Sequence, residues 1–370
     1  MLAIFASALL SCVCASHWQD QVPIVPPVSA QETSDPFWVP PELATFVRDN
    51  VPAAIGDRHR AEALMNILVS PEGNGGLGIQ YANDRTRTIA EAWLERKANC
   101  LTLTMMYAVL AKQLNISVGF AESLGASNWS RVGDMVLKEK HMVALVNWNP
   151  PNVLVADFLV RGRTSAKYGS YFLNKMTDAR AKSLFYSNLA VESLLAGDLD
   201  GAAVRVKQAL DTDPTSPQAW NVKGSIEKTQ RNTVEAEKSY KNAIRHNPND
   251  VTAIGNLASL YRSEGYLEEA IRLRTLEGRL RKMDPYYQAF LAAEAMEKSD
   301  YKKAGRLIQR AIKIHPNDSD FYLTLSNIYK AQDKHAKALQ ALVKARSHAI
   351  QERAEYLDAL IQAFESGQAG

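Results

Sequence analysis

Small and apolar residues recur with a fixed period through the second half of the chain. Ala202, Ala236, Ala270, Ala304 and Ala338 stand 34 residues apart. Pro214, Pro248 and Pro316 keep the same spacing, with Lys282 at the missing position. Ala209, Ala243, Ala311 and Ala345 form a third register, broken at Glu277. Leu189, Leu257, Leu291 and Leu325 form a fourth, broken at Lys223, and a small residue follows each of its positions: Ala190, Gly224, Ala258, Ala292 and Ser326. This pattern predicts pairs of helices. Small residues at fixed places let the two helices of a unit approach closely, large apolar ones fill the seam between neighbours, and proline ends the second helix. The expected units are 183–216, 217–250, 251–284, 285–318 and 319–352, followed by an amphipathic capping helix over Glu355–Phe364 within a tail of 353–370.

A 34-residue helix–turn–helix unit with these positions resembles the tetratricopeptide repeat. The resemblance implies an all-α solenoid whose concave groove binds a protein or peptide partner. Asn221, Ser225, Lys228, Arg262, Asn327 and Lys330 are the candidate groove-facing residues. They are polar and mildly basic. A solvated inner face is the plain alternative for each of them, and the pattern names no ligand.

Residues 38–165 lack the period and have mixed patterning, and 166–182 read as a linker. Helices are expected over Pro41–Asn50, Arg58–Leu68 and Thr88–Arg96, with a Gly-rich surface loop at Glu72–Gly78 whose spacing does not fit a phosphate cradle. After Cys100, the residues Met106, Tyr107, Leu110 and Leu114 are apolar at helical spacing, and Asn99 is a good N-cap. Cys100 therefore falls in a first helical turn, where unpaired N–H groups and the helix dipole favour a thiolate. Two strands are expected next, His141–Trp148 and Val153–Val160, joined by the turn signal Asn149-Pro150-Pro151-Asn152. A symmetrical turn pairs His141 with Val160. Bringing His141 and Asp157 to one face then needs an asymmetric loop or a bulge. Asp157 lies in an apolar run and needs a partner there; His141 is the leading candidate.

The order Cys100, His141, Asp157 supplies a nucleophile, a base and an orienting carboxylate. A cysteine at a helix start followed by His and Asp on successive strands resembles the transglutaminase-like superfamily, a relative of papain-fold cysteine peptidases. The stretch TIAEAWLERKANCLTLTMMYAVLAKQLNISVGF is similar to its bacterial branch, including members fused to tetratricopeptide repeats. The resemblance implies an α+β papain-like domain followed by the all-α solenoid. It implies Cys100 as nucleophile, His141 as general base and Asp157 as orienter. The Cys100 N–H would form part of an oxyanion hole, with a second donor from Gln80–Asn83. The chain departs from the family pattern at Ala98, Leu101 and Met142, where Gly, Trp and Ala-Trp are common. Two functions fit: a cysteine acyl-transfer protein (peptidase, amidase or transamidase), or a non-catalytic scaffold whose transglutaminase-like domain is a degenerate docking module. Trp129 reads equally as a cleft wall or as surface packing.

The N-terminus changes the setting. Leu2–Leu10 is apolar but too short to span a bilayer, and reads as the core of a secretory signal over residues 1–16. Leu9-Leu10-Ser11-Cys12 resembles the lipobox of bacterial lipoproteins, which implies lipidation at Cys12; ordinary cleavage near Ala15 is the alternative. A Pro-rich tether, 17–37, follows. The expected location is the bacterial cell envelope, with membrane attachment only through the lipid. Three cysteines in 370 residues exclude a disulfide-rich scaffold and any four-cysteine metal site. His17 falls in the tether, His59 in a charged helical stretch, and His246, His315, His335 and His348 in the repeats at non-ligand spacings, so neither metal nor cofactor is expected. Forty-three basic against 40 acidic side chains gives no basic field for nucleic acid.

Overall fold

The computed structural model describes residues 35–53, 56–123, 129–132, 135–138, 141–147, 154–158, 163–165, 173–349 and 351–366. Cys12, the tether up to residue 34 and the turn 149–152 lie outside the described residues. Two compact units are present. The first takes its described residues from 35–123, 141–165 and 173–276, the second from 129–138 and 277–366.

In chain order the first part runs α1 (Pro41–Asn50), α2 (Asp57–Val69), β1 (Gln80–Tyr81), α3 (Ile89–Glu95), β2 (Lys97–Ala98), α4 (Cys100–Gln113), β3 (Val118–Ser123), β4 (Trp129–Val132), β5 (Met135–Lys138), β6 (His141–Val146), β7 (Leu154–Asp157), β8 (Arg163–Ser165) and β9 (Leu173–Met176). Five strands form one antiparallel sheet in the order β8-β7-β6-β3-β9. The stretch expected as a linker thus contributes β9 to this sheet. Helix α4 starts at Asn99, whose Oδ1 accepts the Thr102 N–H at 2.9 Å. Every residue from Cys100 to Ala108 is buried, so α4 is a central helix rather than one with a single apolar stripe. Leu101, Met105 and Ala108 pack with Phe120 and Met142 of the sheet.

The period resolves into helix pairs: α5 (Asp178–Leu195) with α6 (Leu199–Thr212), α7 (Pro217–Thr229) with α8 (Thr233–His246), and α9 (Val251–Ser263) with α10 (Leu267–Met283). In the second unit α11 (Pro285–Glu297) precedes α12 (Tyr301–Ile314), and α13 (Ser319–Lys330) precedes α14 (His335–His348). The small residues are where the helices close. Ala190, Ala258, Ala292 and Ser326 are all buried, as are the five alanines from Ala202 to Ala338. A Cβ on Gly224 would stand 2.7 Å from the ring of Tyr240, which is itself buried, so only glycine admits the ring there. Glu277, which breaks the alanine register, is buried and held by Arg281 at 2.8 Å. The final helix, α15 (Gln351–Glu365), buries Ala354 and Leu357 and leaves Tyr356 exposed.

Helix α5 has two roles. Its Ala181 and Phe185 belong to the core formed by α4 and the sheet. Its Ala190 and Val191 belong to the core shared with α6 and α7. Among the described residues no helix is long and apolar enough to cross a membrane.

Candidate functional site

Cys100, His141 and Asp157 come from three elements of the first unit: the start of α4, the start of β6 and the end of β7. The strand register decides whether the last two meet. Ala144 pairs with Ala156, Leu145 with Val155 and Val146 with Leu154. This is one residue away from the register of a symmetrical 149–152 turn. The slip matters because side chains alternate between faces. In the symmetrical register Asp157 would stand across from Ala144, on the face opposite His141. Continued by one residue, the observed register sets Asp157 across from Val143, diagonal to His141 on the same face.

The outcome is a hydrogen bond of 2.8 Å between His141 Nε2 and Asp157 Oδ1. An ionised carboxylate only accepts, so Nε2 carries the proton and donates. The other ring nitrogen, Nδ1, is buried and is in no well-formed hydrogen bond. The Cys100 side chain interacts with the same ring. Nδ1 is therefore the nitrogen left to serve the thiol, in the loose geometry common to resting sites. Burial alone lowers the pKa of His141. The hydrogen bonds and negative charges of Asp157 and Cys100 outweigh burial and push it up to about 10. Asp157 and Cys100 thus both favour the protonated ring. All three groups are buried: Cys100 is 3% exposed, His141 7% and Asp157 4%.

The strip expected to carry a second oxyanion donor lies beside α4. Strands β1 and β2 pair in parallel, Gln80 with Lys97 and Tyr81 with Ala98. The Ala82 N–H then donates to the Ala98 carbonyl at 2.9 Å. The pairing ends there: Asn83 lies two residues beyond Tyr81, as Cys100, the first residue of α4, lies two beyond Ala98. Asn83 Nδ2 is buried and makes no hydrogen bond. A buried amide donor without a partner is costly, and within the Gln80–Asn83 stretch Asn83 is the side chain that carries one.

The turn between Asn83 and α3 is missed by local sequence reasoning. Arg87 is 3% exposed and bonds both Asp84, at 2.7 and 2.8 Å, and Glu95, at 2.7 Å. Chiefly through that hydrogen bond to Arg87, Asp84 is held down at about 2 and Arg87 is pushed further up. Thr102 Oγ1 donates to the Arg87 carbonyl at 2.6 Å, and Asn99 Nδ2 to Thr86 Oγ1 at 3.3 Å. Two adjacent residues of the turn are thereby tied to the N-cap and first turn of α4. The Asp-Arg-Thr-Arg-Thr composition was the available signal: five polar residues in a row, of which all but Asp84 end up half-buried or buried.

The candidate groove residues divide. Asn221 is buried and accepts from Asn256 Nδ2 at 3.0 Å, so it cross-links α7 to α9. Ser225 is buried against the Tyr240 hydroxyl at 3.2 Å. Lys228 is half-buried and donates to Ser259 Oγ at 3.3 Å; burial lowers its pKa. Arg262 and Asn327 are exposed and Lys330 is half-buried. In the second unit Trp129 is 4% exposed, 4.8 Å from the Tyr287 ring, with the Arg281 guanidinium 5.7 Å above it. It is packed in, neither a surface residue nor a bare wall. Among the described residues no group of three or more His, Cys, Asp or Glu is placed to hold a metal ion.

A family model described as a tetratricopeptide repeat matches residues 307–340. The match spans Ala311, Pro316, Leu325, Ser326 and Ala338, one member of each sequence register. Residues 307–340 are thus a tetratricopeptide repeat, and the other helix pairs share its 34-residue period. Solved structures similar to the chain include MamA, at 19% identity over 45% of this chain and 91% of that one, with a TM-score of 0.25. They include pilF of Pseudomonas aeruginosa, at 19% over 52% and 87%, TM-score 0.26. YrrB, described as a tetratricopeptide repeat protein with an unusual peptide-binding site, matches at 16% over 49% and 91%, TM-score 0.25. These slight likenesses carry no argument; the family match and the registers carry the assignment. Comparison with curated protein sequences finds no match. The chain thus contains a tetratricopeptide protein-binding module.

Proposed function

We propose that this chain joins its tetratricopeptide module to a transglutaminase-like cysteine site, and transfers acyl groups on a protein or peptide of the bacterial cell envelope. The observation that supports it is the 2.8 Å bond between His141 and Asp157 with Cys100 at the same ring. In the first step the Cys100 thiolate attacks the carbonyl carbon of an amide, forming a C–S bond. The C–N bond breaks, and the leaving amine takes its proton from His141. In the second, water or an amine attacks the thioester, gives its proton to His141 and releases the thiolate. Hydrolysis and transamidation differ only in that acceptor. Asn83 Nδ2 and the Cys100 N–H are the donors for the transient oxyanion. The tetratricopeptide groove recruits the partner, and a lipid at Cys12 would anchor the chain at the membrane.

A second reading rests on a specific observation, the burial of all three groups. In it the α/β domain is a non-catalytic docking module and the whole chain is an envelope scaffold built around its repeats. Thiol labelling separates the two. With Cys12 and Cys14 changed to Ser, the first reading expects iodoacetamide to modify Cys100 faster than a free cysteine near neutral pH, and His141→Ala to slow it by about a hundredfold. Modification at the free-cysteine rate or slower, unchanged by His141→Ala, selects the scaffold.

A further inference from the structure

We propose that Glu192, on the first repeat helix, is a positioning residue that fastens the 84–88 turn and through it holds Cys100 against His141. The proposal rests on the thiol–imidazole reading above.

The Thr86 N–H donates to Glu192 Oε1 at 2.7 Å, across 106 residues of sequence. The Thr86 side chain also hydrogen-bonds this carboxylate. Thr86 Oγ1 accepts from Asn99 Nδ2 at 3.3 Å, and Asn99 Oδ1 caps α4 by accepting the Thr102 N–H. Two links therefore lead from Glu192 through Thr86 to Asn99, the residue immediately before the thiol, and a third ties Asn99 to the first turn of α4. Thr86, Asn99 and Thr102 are 3%, 4% and 0% exposed, so none of these bonds has water as a ready substitute.

The carboxylate is not placed there for helix stability. It sits in the last turn of α5, where a negative charge opposes the helix dipole. Burial raises its pKa, a further cost of holding the charge there. A position that costs stability in its own helix and is bonded to a distant turn acts on that turn. Glu192 is also two residues from Ala190, the close-packed small residue of the first repeat. Any shift of α5 along its contacts with α6 and α7 would move this carboxylate, and a misplacement of a reacting group by an ångström is enough to slow chemistry sharply. The repeats thus have a hydrogen-bonded route to the residue that precedes the thiol.

The test uses the full chain with Cys12 and Cys14 changed to Ser, and two independent readouts. Hydrogen exchange at the Thr86 amide reports the bond itself. The rate of iodoacetamide modification of Cys100, measured as a function of pH, reports the consequence. Glu192→Ala is expected to lose Thr86 protection and to slow modification near neutral pH by about tenfold. Glu192→Gln keeps an acceptor for the Thr86 N–H and is expected to stay within about twofold of the parent in rate. Glu192→Asp keeps the charge but withdraws it by one methylene, and should behave like Ala; it serves where Ala does not fold. Lost protection with an unchanged rate overturns the positioning role, and so does a Gln variant as slow as Ala. Failure of the thiol–imidazole reading itself is seen before Glu192 is touched, in a parent whose Cys100 reacts like a free cysteine. That result overturns the positioning role with it, while the exchange measurement still reports the bond.

Discussion

Two parts of the first unit solve the problem of close packing in opposite ways. Between α7 and α8 the solution is subtraction: Gly224 removes a side chain so that the Tyr240 ring can lie against the backbone. Around the start of α4 the solution is pairing: Thr86, Arg87, Asn99, Thr102, His141 and Asp157 are all polar, all buried, and bonded to one another or to neighbouring residues. A seam made by small residues has no geometry to defend beyond the absence of a clash. A buried polar network fixes positions and is expensive to leave half-made. The second kind of construction is the one expected where a reacting atom must be held.

Substitutions can break that contrast in order of size. Asp157→Ala strands a buried imidazole and should cost about 3 kcal/mol in chemical denaturation. The same pair sets a pH dependence. The folded-state pKa of His141 lies near 10, above its ordinary 6.5, so the folded chain holds a proton that the unfolded chain releases. Its stabilisation is complete below about pH 6.5 and is lost as the pH rises towards 10. Denaturation at neutral and at alkaline pH should show this loss, and Asp157→Asn should flatten it. Arg87→Ala should cost about 2 kcal/mol, less than for a fully buried pair because Asp84 and Glu95 stay partly exposed. Gly224→Ala forces the Tyr240 ring to move and should cost about 1–2 kcal/mol in thermal unfolding. Gly278→Ala, in α10 with nothing within 4 Å of the added carbon, should instead stabilise by about 0.5 kcal/mol. Equal effects from the two glycines would remove the repeat half of the comparison.

The repeats were legible because each unit states its structure in local terms, a small residue here and a proline there, and says it five times. One of the exceptions is also physical: Glu277 takes an alanine's place and recruits Arg281. At the site, the N-cap by Asn99 was readable, and so was the demand of Asp157 for a partner. The strand register was not. A one-residue slip leaves no mark in the composition of either strand, yet it decides which face Asp157 occupies. Nor was the Glu192–Thr86 bond readable, since 106 residues separate its partners. Asn221 shows the reverse error. A polar residue on a repeat helix reads as groove-facing, but Asn256 from the next unit takes its oxygen and the pair is packed away.

The central claim is that Asp157 and Cys100 hold His141 as an imidazolium well above neutral pH. Nuclear magnetic resonance titration of the His141 ring tests it directly. The account predicts an apparent pKa near 10 in the parent protein, falling towards the ordinary histidine value in Asp157→Asn and in Cys100→Ser. A ring that titrates at or below about 6.5 in the parent, and does not move in either variant, contradicts it.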